Sequence, residues 1–262
     1  MARLASARAA RLARTCRRQG DYARDKSFTR GCDARGISSS DTHRSLTTTV
    51  KERHMSVASI EQVAREAFAR RDTAGGALAR DAELITRTAR DMAVRFRRGG
   101  KLVVFGSGGA GTDAAHVAVE FMHPVIVGKP ALPALALSND AATVSAVGTD
   151  DGMAEVFAHQ VRHWADPGDI ALGISRDGGS PAVRQGLAAA HDLDLLTVAL
   201  TGAHHADRTD HADRAGPMTR ADHVIAVAST DPAVVKEIHV TTYHLMWELV
   251  HVFLEQGGEA LT

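Results

Sequence analysis

Sulfur and aromatic side chains are scarce in this 262-residue chain, which has two cysteines, two tryptophans, two tyrosines and 4% aromatics. Cys16 and Cys32 alone make neither a disulfide framework nor a cysteine-based zinc finger. No stretch approaches 18 uninterrupted apolar residues, which excludes a transmembrane helix. Net charge is missing too, because 31 basic side chains balance 31 acidic ones. What remains, 44% hydrophobic and 24% charged, is an ordinary globular composition for one domain, with or without an appendage.

The balance hides a split. Residues 1–54 hold 13 of the Lys and Arg but only 5 of the Asp and Glu, and they hold both cysteines. Their first 20 residues include six arginines and no acid. An Arg-rich, acid-poor start resembles a mitochondrial transit peptide. It equally suits a disordered basic arm drawn to phosphate or nucleic acid. A third reading makes Met55 the true start, with everything upstream an extension. Periodic sequence begins just after Met55, and little before it could build a core. The expected organisation is therefore a basic, disordered extension over 1–54 and one folded domain over 55–262.

Within the domain, apolar residues recur at helical spacing over Ile60–Phe68 and Leu84–Phe96. The second segment stops at Arg97-Arg98-Gly99-Gly100, basic residues followed by glycine. Short apolar runs follow at Lys101–Phe105, Leu132–Leu137, Ile170–Ile174, Leu195–Leu200 and His223–Ala228. Helical patterns ending at Met122 and spanning Met153–Trp164 and Pro181–Asp192 lie between them, and a long last helix covers Pro232–Glu255. Short continuous runs alternating with helices mean parallel strands buried on both faces. The fold class is a doubly wound α/β domain with a five-stranded parallel sheet, N-terminal helices and a long C-terminal helix.

Ligands of such sheets sit beyond the carboxyl ends of the strands, at the topological switch point. Gly106-Ser107-Gly108-Gly109 follows the first strand there and opens a helix whose N-terminal amides can approach an anion. The dinucleotide fingerprint is met only loosely, by Gly106, Gly108 and Gly111, and no acid ends the next strand as that fingerprint requires. A second small-residue turn, Ser175-Arg176-Asp177-Gly178-Gly179-Ser180, follows the strand at Ile170. Two hydroxyl-bearing loops at neighbouring strand ends point to a phosphorylated or polyhydroxylated ligand.

His116 and Glu120, at i and i+4, share one helix face, and His244 on the last helix can approach the same cleft. This donor set suits a divalent metal. A carboxylate and an imidazole also suit aldose–ketose isomerisation, which needs a base beside the carbonyl carbon and an acid for the oxygen. The plainer alternative is a helix-surface contact. His204, His205 and His211 are read as a solvated loop rather than ligands. His239 lies about 140° round the helix from His244 and is read as a packing or subunit-contact residue. Trp164, Trp247, Met92, Met246 and Phe253 are read as core or interface.

The ordered series of a glycine turn, His-x-x-x-Glu, Ser138-Asn139-Asp140, Gly-Ile-Ser-x-x-Gly-x-Ser and Glu-Ile-His-x-x-x-x-His resembles the sugar isomerase (SIS) domain family over Met55–Gln256. More narrowly it is similar to the family of sedoheptulose 7-phosphate (phosphoheptose) isomerases. The resemblance implies a flavodoxin-like sheet and Glu120 as base with His244 as acid. It also implies zinc held by His116, Glu120 and His244, with the position of Lys236 a further ligand in some members. Substrate would be lined by Ser107, Gly108, Gly109, Asn139, Asp140, Ser175, Arg176, Asp177, Ser180 and Lys236. A homotetramer in the cytoplasm is implied, with no membrane or nucleic-acid partner for the folded domain.

The sequence departs from the family pattern at Ser107, Ala110, Pro124, Asp177 and Lys236. Asp177 brings a carboxylate to the phosphate loop, and Lys236 replaces a glutamine. A protonated lysine is a poor metal ligand but a good phosphate partner. Two alternatives to the phosphoheptose reaction therefore stand: an isomerase for another sugar phosphate, and a non-catalytic regulatory or sugar-phosphate-sensing SIS protein.

Overall fold

The computed structural model describes residues 56–203 and 221–256. The expectations for residues 1–54 and for His204, His205 and His211 lie outside the described residues. No helix among the described residues is long and apolar enough to cross a membrane.

Two helices lead into the sheet. Helix α1 spans Val57–Arg80 and starts at Ser56, whose hydroxyl accepts from the Ser59 amide. Only Asp81 separates it from α2, Ala82–Arg97. The sheet then alternates with helices, as the apolar runs require. Strand β1 is Leu102–Gly106, α3 Gly109–Met122, β2 Ala134–Ala136 and α4 Ala141–Val147. One π-helical turn, Gly148–Gly152, leads to α5, Val156–Trp164. Strand β3 is Ile170–Ser175, α6 Pro181–Asp192, β4 Leu196–Gly202 and β5 His223–Val227, and α7 closes the domain over Pro232–Gln256.

All five strands are parallel, in the order β2-β1-β3-β4-β5. Alternation along the buried strands builds two cores. Leu102, Val104, Leu172 and Val198 face α1, α2, α3 and α7, in a core that includes the stacked pair Phe96 and Phe121. Val103, Phe105, Ala171 and Ala199 face α5 and α6 through Phe157, Val161, Val183 and Leu187. Sheet order reverses between β1 and β3, so the loops after these two strands face a shared crevice.

Sequence periodicity did not show α4, whose seven residues include little apolar bulk. Its start is nonetheless chemically marked. The Asp140 carboxylate accepts from the amides of Ala142 and Thr143 and from the Thr143 hydroxyl. Trp164 is 59% exposed and therefore lies outside the core of this chain, whereas Trp247, Met92 and Met246 are buried.

Candidate active site

The glycine turn after β1 needs backbone that other residues resist. Gly108 caps α3 at φ +60°, and a Cβ on Gly106 would lie 2.7 Å from the Ala110 carbonyl oxygen. The resulting helix N-terminus opens a cavity of about 440 Å³ lined by Ser107, Gly108, Gly109, Ser175, Arg176 and Lys236, among others. A neighbouring cavity of about 410 Å³ shares Ser107 and Gly108 and reaches Asn139. Ser180 caps α6, and its Oγ lies 3.5 Å from that of Ser107. The two hydroxyl loops thus meet at the switch point, as their positions in sequence require.

Three predicted residues are already engaged within the chain. Asp140 is committed to the α4 cap, where the Thr143 hydroxyl and amides hold its carboxyl below the usual range. Asp177 Oδ1 accepts from the Gly179 amide at 2.9 Å, and its other oxygen lies 3.7 Å from Arg176 Nη2. Lys236 Nζ donates to Asp113 Oδ1 at 2.5 Å and to the Gly109 carbonyl at 3.1 Å. Asp113 is buried and lines the same cavity.

The second group gathers further along α3. His116, Glu120 and His244 each offer a ligand atom, all within 4.8 Å of one another. His116 Nε2 is 3.2 Å from Glu120 Oε1, and Glu120 is mostly buried. Val125, Trp247 and Glu248 complete this cleft. Two imidazoles and a carboxylate are a donor set that can hold a divalent metal. Gly109 and Glu120 stand on one helix, about 16 Å apart along its axis. Within one chain, the hydroxyl loops and the triad are therefore separate.

Helices α3 and α7 meet in three rungs, taken in order along both. Asp113 pairs with Lys236, His116 with Tyr243, and Glu120 with Trp247. In the second rung Tyr243 Oη lies 2.8 Å from His116 Nδ1. In the third, the Trp247 indole N–H donates to the Glu120 carbonyl at 2.9 Å. Burial pushes the Tyr243 phenol above its ordinary pKa, reinforced by Asp113 and Glu120, so it stays protonated.

Sequence reasoning passed over Asp113 and Tyr243. Their signal was present: 113, 116 and 120 form one stripe on α3, and 236, 243 and 247 another on α7. His239, read as packing, is 2% exposed and lines the larger cavity, with Nε2 lacking a partner. Burial lowers its pKa, leaving the ring neutral.

Comparison with known proteins places the fold in a family. The SIS domain model matches residues 70–202. A phosphoheptose isomerase of Solidesulfovibrio magneticus is 40% identical over 173 residues, covering 66% of this chain and 80% of that protein. A solved phosphoheptose isomerase from Francisella tularensis is 28% identical with a TM-score of 0.65, over 76% of this chain and all of that one. Its counterpart from Neisseria gonorrhoeae is 27% identical with a TM-score of 0.64, over 73% and 98%. The chain belongs to the SIS domain family, in which these relatives carry the name phosphoheptose isomerase.

Proposed function

We propose that the chain is an aldose–ketose isomerase of a phosphorylated sugar, sedoheptulose 7-phosphate, working by proton transfer between Glu120 and His244. The convergence of His116, Glu120 and His244 within 4.8 Å carries this reading. Proteins named phosphoheptose isomerase at 40% identity support the substrate.

Glu120 removes the proton from the carbon beside the carbonyl, and His244 donates a proton to the carbonyl oxygen. The enediol so formed regains the proton from Glu120 at the former carbonyl carbon while its other hydroxyl returns a proton to His244, which exchanges aldose and ketose. His116, Glu120 and His244 would hold a divalent ion, zinc by donor chemistry. When bound, it supplies Lewis acidity at the substrate oxygen. Lys236, committed to Asp113, stands outside this set. Because the loops and the triad of one chain are separate, Ser107, Gly108, Gly109, Ser175, Arg176, Ser180 and Lys236 of a neighbouring copy would receive the phosphate, with Asn139 beside the sugar hydroxyls.

The reading extends to a cytoplasmic homotetramer, with residues 1–54 an extension ahead of the domain. Exposed Val57, Ile60, Val63 and Phe68 form an apolar stripe along α1, which favours association between copies.

The test is turnover of sedoheptulose 7-phosphate by the full chain, with added zinc and with chelator. Zinc-supported product is expected. Folded protein giving no product in either condition would overturn the reading. A sugar-phosphate sensor is the second reading, on the ground that Asp177 and Lys236 depart from the family pattern. A sensor would show a ligand-dependent rise in Tm without product.

A further inference from the structure

The second rung between α3 and α7 bears directly on the metal set. A histidine that coordinates through one ring nitrogen needs a partner for the other, to fix its tautomer and ring plane. His116 has Nε2 toward Glu120 and Nδ1 at 2.8 Å from Tyr243 Oη. Tyr243 is 1% exposed, so water has little room to replace its phenol. Its ring packs edge-on against both His116 and His244, at centroid separations of 5.4 and 5.0 Å. A phenol can donate to a bare Nδ1 or accept from Nδ1–H. It therefore satisfies His116 in either tautomer, including the one that leaves Nε2 free as a ligand.

We propose that Tyr243 is the positioning residue of the metal site, accepting from His116 Nδ1–H so that Nε2 is presented beside Glu120 and His244. This rests on the metal reading given above. Phenylalanine keeps the ring and its packing but strands Nδ1 without a partner. Tyr243→Phe should thus act through His116 alone.

Zinc affinity of the full chain, measured by competition with a chromophoric chelator, tests this. Tyr243→Phe is expected to weaken zinc binding by about 10- to 100-fold, the usual cost of losing such a partner. The Tm of the zinc-free protein should move little. A thiolate at position 116 has no second ring nitrogen to satisfy, so in a His116→Cys background the Tyr243→Phe change should leave zinc affinity unaltered. Unchanged zinc affinity in the single variant would overturn the proposal. An equal loss in the His116→Cys background would overturn it too, by assigning Tyr243 to packing. Failure of the unmodified chain to bind zinc would remove the metal reading together with this inference.

Discussion

The two ends of α3 use ionisable groups in opposite ways. At its N-terminus, Lys236 is met by Asp113, and Arg176 lies near Asp177. The hydroxyl loops therefore carry their own counterions, and an incoming anion would compete with carboxylates already in place. Further along the helix, His116, Glu120 and His244 converge with no Lys or Arg paired to them among the described residues. The contacts they receive from α7 are neutral: the Tyr243 phenol meets His116 Nδ1, and the Trp247 indole donates to the Glu120 backbone carbonyl. Internal pairing closes a site electrostatically, whereas neutral support leaves donor atoms available to a metal or a substrate proton.

The sharpest break of this contrast is Glu120→Gln, which removes the proposed base and keeps the shape. Turnover should fall by roughly 100- to 10,000-fold, with the Tm retained, in a coupled isomerase assay. At the other end, Lys236→Met strands the buried Asp113 carboxylate. Since Lys236 is itself half exposed, a loss of about 2 kcal/mol in unfolding free energy is expected by urea denaturation. A rise in stability would show that the pair is dispensable.

His239 separates the two ends by pH. Its folded pKa lies below the ordinary 6.5 because the ring is buried. Its stabilising contribution is complete above that value and is lost as pH falls through the depressed pKa. Below pH 6.5 the unmodified chain should lose Tm faster than His239→Asn, and parallel curves would refute the effect. The smallest change is expected from Asp177→Ser, which removes an exposed carboxylate beside Arg176. Calorimetry should find inorganic phosphate bound about fivefold more tightly, in keeping with a screened pair. Weaker binding would mean that Asp177 supports the loop rather than opposing the ligand.

Much of the fold was legible because short apolar runs such as Ile170–Ile174 alternate with helical patterns, as buried parallel strands do, and Pro181–Asp192 is preceded by its own helix cap, Ser180. Helix α4 was not legible, since Ala141–Val147 offers little apolar contrast. Asp140 was assigned to the ligand site, yet its carboxylate caps that unseen helix. His116 and Glu120 could be paired from their spacing, and His244 was joined to them through the order of motifs. Tyr243, one residue from His244, shares a stripe with Lys236 and Trp247, but spacing alone does not name its partner, which lies on another helix.

The alternation of strands with helices, the two hydroxyl loops and the shared face of His116 and Glu120 were determined by the sequence itself, because period, glycine turns and helical spacing are local properties. Which charges neutralise one another was decided only by tertiary structure. Asp113 and Lys236 are 123 residues apart, and no local rule states that α3 and α7 pack in register. The same packing brings His244 and Tyr243 to His116. Helix direction and separation, which depend on the whole core, turned three scattered residues into one site.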